Sequence, residues 1–546
     1  MTDRDRSRAP AAERGRAPLA RGNPRGMTDG DRSRAPAAER GRAPLARGNP
    51  RGMTDGDRSR APAALALAPL LALWAACEPP GRAPASPAWI ADTGSFQPGA
   101  PARSAVARDY GEAAAKIIAA ARADRGAYEK LAHLTDRIGN RLAGSPALDR
   151  AIAWAAQAMK DDGHAARTEP VAVPHWVRGL ERASITAPIE RPLVVLGLGG
   201  SVPTPRGGLA APVVVVRSWD ELEPKAARIK GAIVLYDVAL PAWDAEKGSG
   251  YNDVSRFRSR GPSRAAQLGA VGVLMRSITA HSLRTPHTGA LRYDPEQPKL
   301  PAAAITVEDA QLIARLAEQG PVTVRMQLES QELPDAPSAN VIGELRGRER
   351  PDEVVVIGAH IDSWDVGQGA HDDGAGCVQM MQALTVLRKL GFQPRRTIRV
   401  VLFTNEENGL RGARAYAQEH AGELAKTVLA VEADSGGFAP RGFTVEVKPE
   451  LAPRVLPRVS QIAALLGPLG PIKVTADHSG ADLSQLIPAG VPGIGISTDS
   501  RRYFDYHHTE ADTLDKIDPA QLADGVAAIA VLAYVAADLP DRLDAP

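Results

Sequence analysis

Cysteine is almost missing. Cys77 and Cys377 are the only two in 546 residues, too few for a disulfide framework. Glycine and proline number 51 and 45, well under the roughly 25–30% share that marks low complexity. A collagen, a wholly disordered chain and a disulfide-built miniature are therefore excluded. Net charge is also small, at +2, and that figure hides an asymmetry. Residues 1–52 hold 13 Arg against 6 Asp and Glu, so the other 494 residues sum to about −5. A mildly acidic body has no nucleic-acid footprint. Neither of the apolar stretches at 61–76 and 526–537 reaches the ~20 residues a membrane span needs. What remains is ordinary globular usage, 44% apolar and 24% charged, in a chain long enough for several units.

The first 52 residues are two copies of one 26-residue string, differing only at Arg4 and Gly30, and a third copy runs from Met53 to Ala64. Such a period can signal a solenoid. Here each unit has no apolar face to stack, so 1–52 is expected to be disordered. Each copy opens with Met, as a start codon assigned too early would produce. Residues 53–77 have the pattern of a signal peptide: Arg58 and Arg60, an apolar run, then Ala75-Ala76-Cys77. The ending is similar to a bacterial lipoprotein box, with Trp74 where that box prefers Leu. The chain is thus expected to be secreted, or to be a periplasmic or outer-membrane lipoprotein attached through a lipidated Cys77. Residues 78–108, rich in Pro and Ala, read as a tether.

The remainder divides into three. Residues 109–190 read as helical: Leu148, Ile152, Ala155 and Met159 fall on one helix face, behind a Ser145-Pro146 start. Residues 191–332 hold short β-rich runs at 193–196, 213–216, 233–236, 271–275 and 322–326, with one helix near Ser263–Leu268. Residues 333–546 alternate helix with continuous apolar runs at 354–357, 398–403, 428–431 and 493–496. Such runs are parallel strands covered on both faces. The fold class is α/β, with a mostly parallel, mixed sheet flanked by helices. The stretch Val526–Ala537 reads as a core helix.

Sites in such sheets form beyond the carboxyl ends of the strands. After the four runs, and in a late loop, come His360-Ile361-Asp362, His371-Asp372-Asp373-Gly374, Glu406-Glu407, Glu432-Ala433-Asp434 and His507-His508-Thr509. Taken alone, His-x-Asp is usually a surface loop, Glu-Glu a solvated pair and Asp-Asp-Gly a turn. In this order they supply imidazoles and carboxylates in the mix that suits Zn²⁺. Two ions need a bridging carboxylate, with an imidazole and a carboxylate for each. Neighbouring Glu406 and Glu407 point different ways, so one can ligate while the other acts as general base.

The run His360–Gly374, together with Ile138–Ser145, resembles the M28 family of metallopeptidases and within it the carboxypeptidase Q subgroup. The likeness spans about residues 110–540 and implies a zinc exopeptidase of the phosphorylase/hydrolase-like fold. Lys230–Leu235 and Gly269–Leu274 resemble the protease-associated domain, which 191–332 would form as an insert. The resemblance implies two Zn²⁺. His360 and Asp434 would bind one and Glu407 and His508 the other, with Asp372 bridging and the Asp372–Asp373 peptide cis. It implies Glu406 as general base and Asp362 as the residue orienting His360. The substrate would be a short peptide or dipeptide. An aminopeptidase of broader specificity, a one-zinc glutaminyl cyclase and an inactive binding homologue are the alternatives, and a homodimer stays open. The M20 family shares the residue order, but only 74 residues separate Asp434 from His508, too few for its extra domain.

Other residues keep plainer readings. His371 and His507 are expected to be neighbours of the ligands, and Cys377 core. His133, His164, His175 and His420 are expected to be surface or structural. His281 and His287 lie in a loop of the insert that could overhang the site, and His478 and Asp482 could shape a substrate pocket.

Overall fold

Strands buried on both faces leave little room for polar side chains, and the computed structural model places the apolar runs of 333–546 accordingly. It describes residues 104–244 and 248–545, all within one unit, Gly81–Pro546. The readings made for the repeats, the signal peptide, Cys77 and the tether up to residue 103 lie outside the described residues. The tether ends earlier than expected: helix α1 (Ala105–Ala123) begins behind Ser104, whose hydroxyl accepts the Ala107 N–H. Six further helices matter here: α2 (Pro146–Asp161), α3 (Tyr251–Gln267), α4 (Val307–Gln319), α5 (Ala375–Lys389), α6 (Arg411–Glu419) and α7 (Pro519–Asp538).

The main sheet has eight strands, β1 (Ala165–Val177), β2 (Gln331–Leu345), β3 (Arg350–His360), β4 (Arg396–Phe403), β5 (Thr427–Glu432), β6 (Pro440–Glu446), β7 (Lys473–Ala476) and β8 (Gly493–Thr498). Their order in space is β1-β2-β4-β3-β5-β8-β6-β7. The central β4, β3, β5 and β8 run parallel; β2 and β6 join them antiparallel, β1 pairs antiparallel with β2, and β7 pairs parallel with β6. Side chains alternate across the sheet. Val355, Ile357 and Ala359 share a core with α1, α2, α5 and α7, while Val354 and Val356 share another with Ala413 and Tyr416 of α6. The α/β reading therefore holds, with helices on both faces.

Residues 181–328 build a second eight-stranded sheet around Leu209–Val216, Ile233–Tyr236, Gly272–Arg276 and Ala302–Ile305, which run parallel. α3 covers one face through Val254 and Phe257, and α4 the other through Ala310 and Ile313.

Two expectations change, and a third holds. The stretch 109–190 is helical only as far as Asp161, and β1 and the strand Glu181–Ala187 follow. β1 owes its state to a long antiparallel pairing with β2, a contact distant in sequence that no local period records. The helix expected near Ser263 begins at Tyr251 and carries Pro262 inside it. Gly261-Pro262 reads as a breaker, yet buried Val254 and Phe257 seat the earlier turns. α7 has the length and apolar character to cross a membrane, but 83% of its most apolar window is buried, against α1 and α5. It is a core helix.

Candidate active site

Register brings the strand ends together. His360 closes β3 opposite Phe403, which closes β4, and Glu432 closes β5 beside Gly358. The turns beyond carry Glu406, Glu407 and Asp434 to the same edge. Asp372 arrives from the turn Ala370–Gly374 ahead of α5, and the Asp372–Asp373 peptide is cis. The Asp512 carboxylate fixes that turn, accepting the N–H groups of His371 at 2.7 Å and Asp372 at 3.1 Å. The Asp373 carboxylate accepts from His360 N–H at 3.2 Å and Gly376 N–H at 3.0 Å. A Cβ at Gly376 would stand 2.1 Å from the Ala433 carbonyl, so only glycine lets α5 start this close to the end of β5.

Two clusters share one residue. His360 Nε2 lies 3.2 Å from Asp372 Oδ1 and 3.6 Å from Asp434 Oδ1. His508 Nε2 lies 3.1 Å from Asp372 Oδ2 and 3.1 Å from Glu407 Oε2. In each cluster the donor atoms fall within 4.8 Å of one another. His360 Nε2, Asp372 Oδ2 and Glu407 Oε1 are buried with no hydrogen-bond partner. Glu406 is half-buried beside them. Asp362 does not touch His360 as expected: its main-chain carbonyl, not its carboxylate, meets His360 Nδ1, at 3.0 Å, while the carboxylate stands 3.8 Å off.

The charges strain against each other. Burial pushes the Glu406 carboxyl well above its usual range, and Asp434 and Glu407 push it further. Burial, then Asp372, raises Glu407 to about 7. Burial would also raise Asp372, but His507, His360 and His508 together hold it well below the carboxylate range. Six carboxylates, those of Asp362, Asp372, Asp373, Glu406, Glu407 and Asp434, crowd around His360 and His508. Buried negative charge in such surplus calls for cations.

The neighbours are now placed. His371 accepts the Gly437 N–H at 3.1 Å and stacks on Phe438, outside both clusters. Burial lowers it to about 4. His507 sits nearer than expected, with Nε2 3.4 Å from Asp372 Oδ2 and its ring stacked on His508. His287 lies beside the site: with His507 and His508 it forms a further group whose donor atoms fall within 4.8 Å of one another. It is fully buried, 2.9 Å from His507 Nδ1. Adjacent Thr288 donates its N–H to the His508 carbonyl at 3.0 Å, which pins a residue held at φ 59°. His281 is exposed. His478 lines the cleft and pairs with Glu446 at 2.9 Å, whereas Asp482 is buried beneath it. Cys377 is core, its thiol donating to the His360 carbonyl.

Two residues carry more than their sequence signal promised. Arg141 is fully buried and donates to the carbonyls of Ile361 at 2.6 Å, Gln368 at 2.8 Å and Gly369 at 3.0 Å. Asp512 holds the bridging turn. Arg141 stands within Ile138–Ser145 and Asp512 shortly after His508, but nothing local says what they grip.

A cleft of about 770 Å³ opens over the clusters, a size suited to a small ligand. Asp372, Glu406, Glu407, Asp434 and His508 line it, together with residues of α3, which packs on the second sheet.

Comparison with known proteins places this arrangement. Residues 340–533 match the model of peptidase family M28. The chain is 39% identical to carboxypeptidase Q of Mus musculus over 420 residues, 76% of this chain and 86% of that one. It is 37% identical to the Homo sapiens protein of that name, covering 80% and 90%. The crystal structure of a peptidase M28 precursor from Shewanella amazonensis SB2B superposes with a TM-score of 0.75 at 38% identity, covering 79% of this chain and 97% of that one. A zinc aminopeptidase from Bacillus subtilis shares the fold, at 20% identity and a TM-score of 0.58, covering 77% and 96%. With such identity across most of both chains, this protein belongs to peptidase family M28 and is a metallopeptidase, a hydrolase of peptide bonds.

Proposed function

We propose that this exopeptidase works with two zinc ions on short peptides, dipeptides included, and does so outside the cytoplasm. One observation carries the reading: Asp372 belongs to both donor clusters at once. A carboxylate shared in this way is what a pair of ions about 3.5–4 Å apart requires. The donors fit zinc, being imidazole nitrogens and carboxylate oxygens, and three of their buried atoms have no other partner. His360, Asp434 and Asp372 would hold one ion, and Glu407, His508 and Asp372 the other.

Zinc, when bound, supplies Lewis acidity to water and to a peptide carbonyl. The protein supplies the proton path. Glu406 lines the cleft without belonging to either cluster, so its carboxylate is free to take a proton from the attacking water and pass it to the leaving amine. Asp362 holds the Glu406 main chain in place. Secretion belongs to the same reading and rests on residues 53–77 alone. Residues 191–332 are read as a protease-associated insert that walls the cleft.

The test is metal content by atomic absorption, with a dipeptide panel assayed with and without chelator. The expected result is two zinc ions per chain, and hydrolysis that a chelator abolishes and zinc restores. One zinc per chain would favour a cyclase. Dipeptide hydrolysis that survived complete metal removal would overturn the reading.

A further inference from the structure

The cleft is lined by acidic residues of the clusters and also by a basic stretch of α3. Asn252, Ser255, Arg256, Ser259 and Arg260 all line it. They recur along α3 at the three- and four-residue spacing of one helix face. Arg256 is occupied by Asp253. Arg260 is exposed, and its guanidinium makes no ion pair or hydrogen bond among the described residues. Arg292 is also exposed, equally unpaired, and also lines the cleft. Its main-chain N–H donates to the Ser259 carbonyl at 2.8 Å, which sets it beside Arg260. Behind them Arg258 is buried with no carboxylate partner, and its Nε has no partner at all.

Adjacent like charges repel unless an anion lies between them, and a guanidinium fork matches a carboxylate in two hydrogen bonds. We infer that Arg260 and Arg292 determine specificity by receiving a carboxylate of the substrate within the cleft that the clusters also line. The inference rests on the peptidase reading and adds what that reading lacks, which is how the substrate is oriented. With the carboxylates of the clusters engaged by cations, Arg260 and Arg292 are the unpaired positive groups left in the cleft to attract a carboxylate. A peptide bearing a carboxylate is therefore held with it against α3 and with its scissile bond toward Glu406.

Three peptides test this on the zinc-loaded full chain: Ala-Ala, Ala-Ala amide and Ala-Asp amide. The parent is expected to prefer a carboxylate-bearing peptide over Ala-Ala amide by more than about tenfold in kcat/KM, the scale of a lost charged hydrogen bond. Preference for Ala-Ala marks the terminal carboxylate as the group received, and preference for Ala-Asp amide marks the side chain. In R260Q/R292Q that preference should collapse to about twofold or less, with R260K/R292K between the two. A preference that survives R260Q/R292Q intact, or a parent indifferent to both carboxylates, overturns the assignment. Calorimetric binding of the same peptides to E406Q separates the two ideas. Discrimination there, with no hydrolysis by the parent chain, would leave the arginine assignment standing and sink the proposed reaction.

Discussion

The Asp362 carboxylate accepts the main-chain N–H of Glu406 at 3.0 Å, and its second oxygen accepts that of Glu407 at 3.3 Å. One buried side chain thus sets the turn that carries both the proposed base and a proposed ligand, while its own carbonyl holds the ring of His360. Asp362→Ala would leave the buried Glu407 N–H and the half-buried Glu406 N–H unpaired, at about 1–3 kcal/mol for the buried group. Expected is a fall in kcat of at least about tenfold at nearly unchanged KM, partly recovered in Asp362→Asn. Steady-state kinetics at fixed zinc content decides; an unchanged kcat would show that the turn holds itself.

Glu406→Gln removes the proton acceptor and keeps the shape. It should leave metal content intact and lower kcat by about 10²–10⁴-fold. Near-normal turnover with full metal would mean that another group takes the proton.

Asp372→Ala strips both clusters of their common member. Metal content should fall, and the Tm difference between chelated and zinc-supplemented protein should shrink, because bound metal stabilises only the folded state. Unchanged zinc stoichiometry would refute the bridging role.

Arg141 ties three carbonyls of the segment between β3 and α5. Arg141→Met keeps the length and deletes every donor to these carbonyls, of which Gly369 alone keeps a second partner among the described residues, the Gly374 N–H at 3.0 Å. A loss on the order of 3–5 kcal/mol is expected, read as a lower urea midpoint. A loss under about 1 kcal/mol would mean that water replaces the guanidinium.

His164 is buried against Thr385 at 3.2 Å. Burial pushes its imidazole down to about 4; Arg388 and Lys130 add to the effect, and Asp162 opposes it. The folded value lies below the unfolded value near 6.5, so the unfolded chain binds the extra proton first. The contribution is complete above about pH 6.5 and is lost as pH falls toward 4. His164→Gln should therefore lose less stability than the parent between pH 7 and pH 4.5. Parallel urea midpoints for the two would remove His164 from the account.

The motifs at the strand ends could be read because two local signals coincide there. Continuous apolar runs mark strands covered on both faces, and the residues that follow such strands in a parallel sheet must meet at one edge. His360, Glu406, Glu407 and Asp434 need nothing more than this. The sequence could not show which atom of Asp362 faces His360, since side chain and carbonyl belong to the same letter. Nor could it show that His287 reaches His507, or that Arg260 and Arg292 stand side by side, because the partners lie 220 and 32 positions apart.

Local chemistry was enough for the α/β class, the core character of α7 and the roster of residues that meet at the sheet edge, since periodicity and strand order act over a few turns of chain. Long-range packing settled the rest. It made a strand of 165–177, ran a helix through Gly261-Pro262, and brought arginines of α3 into the cleft that the acidic clusters line. The physical reason is that pairing and burial between distant segments outweigh what local propensity contributes, roughly 1 kcal/mol for an ordinary residue and about 3 kcal/mol for a proline inside a helix.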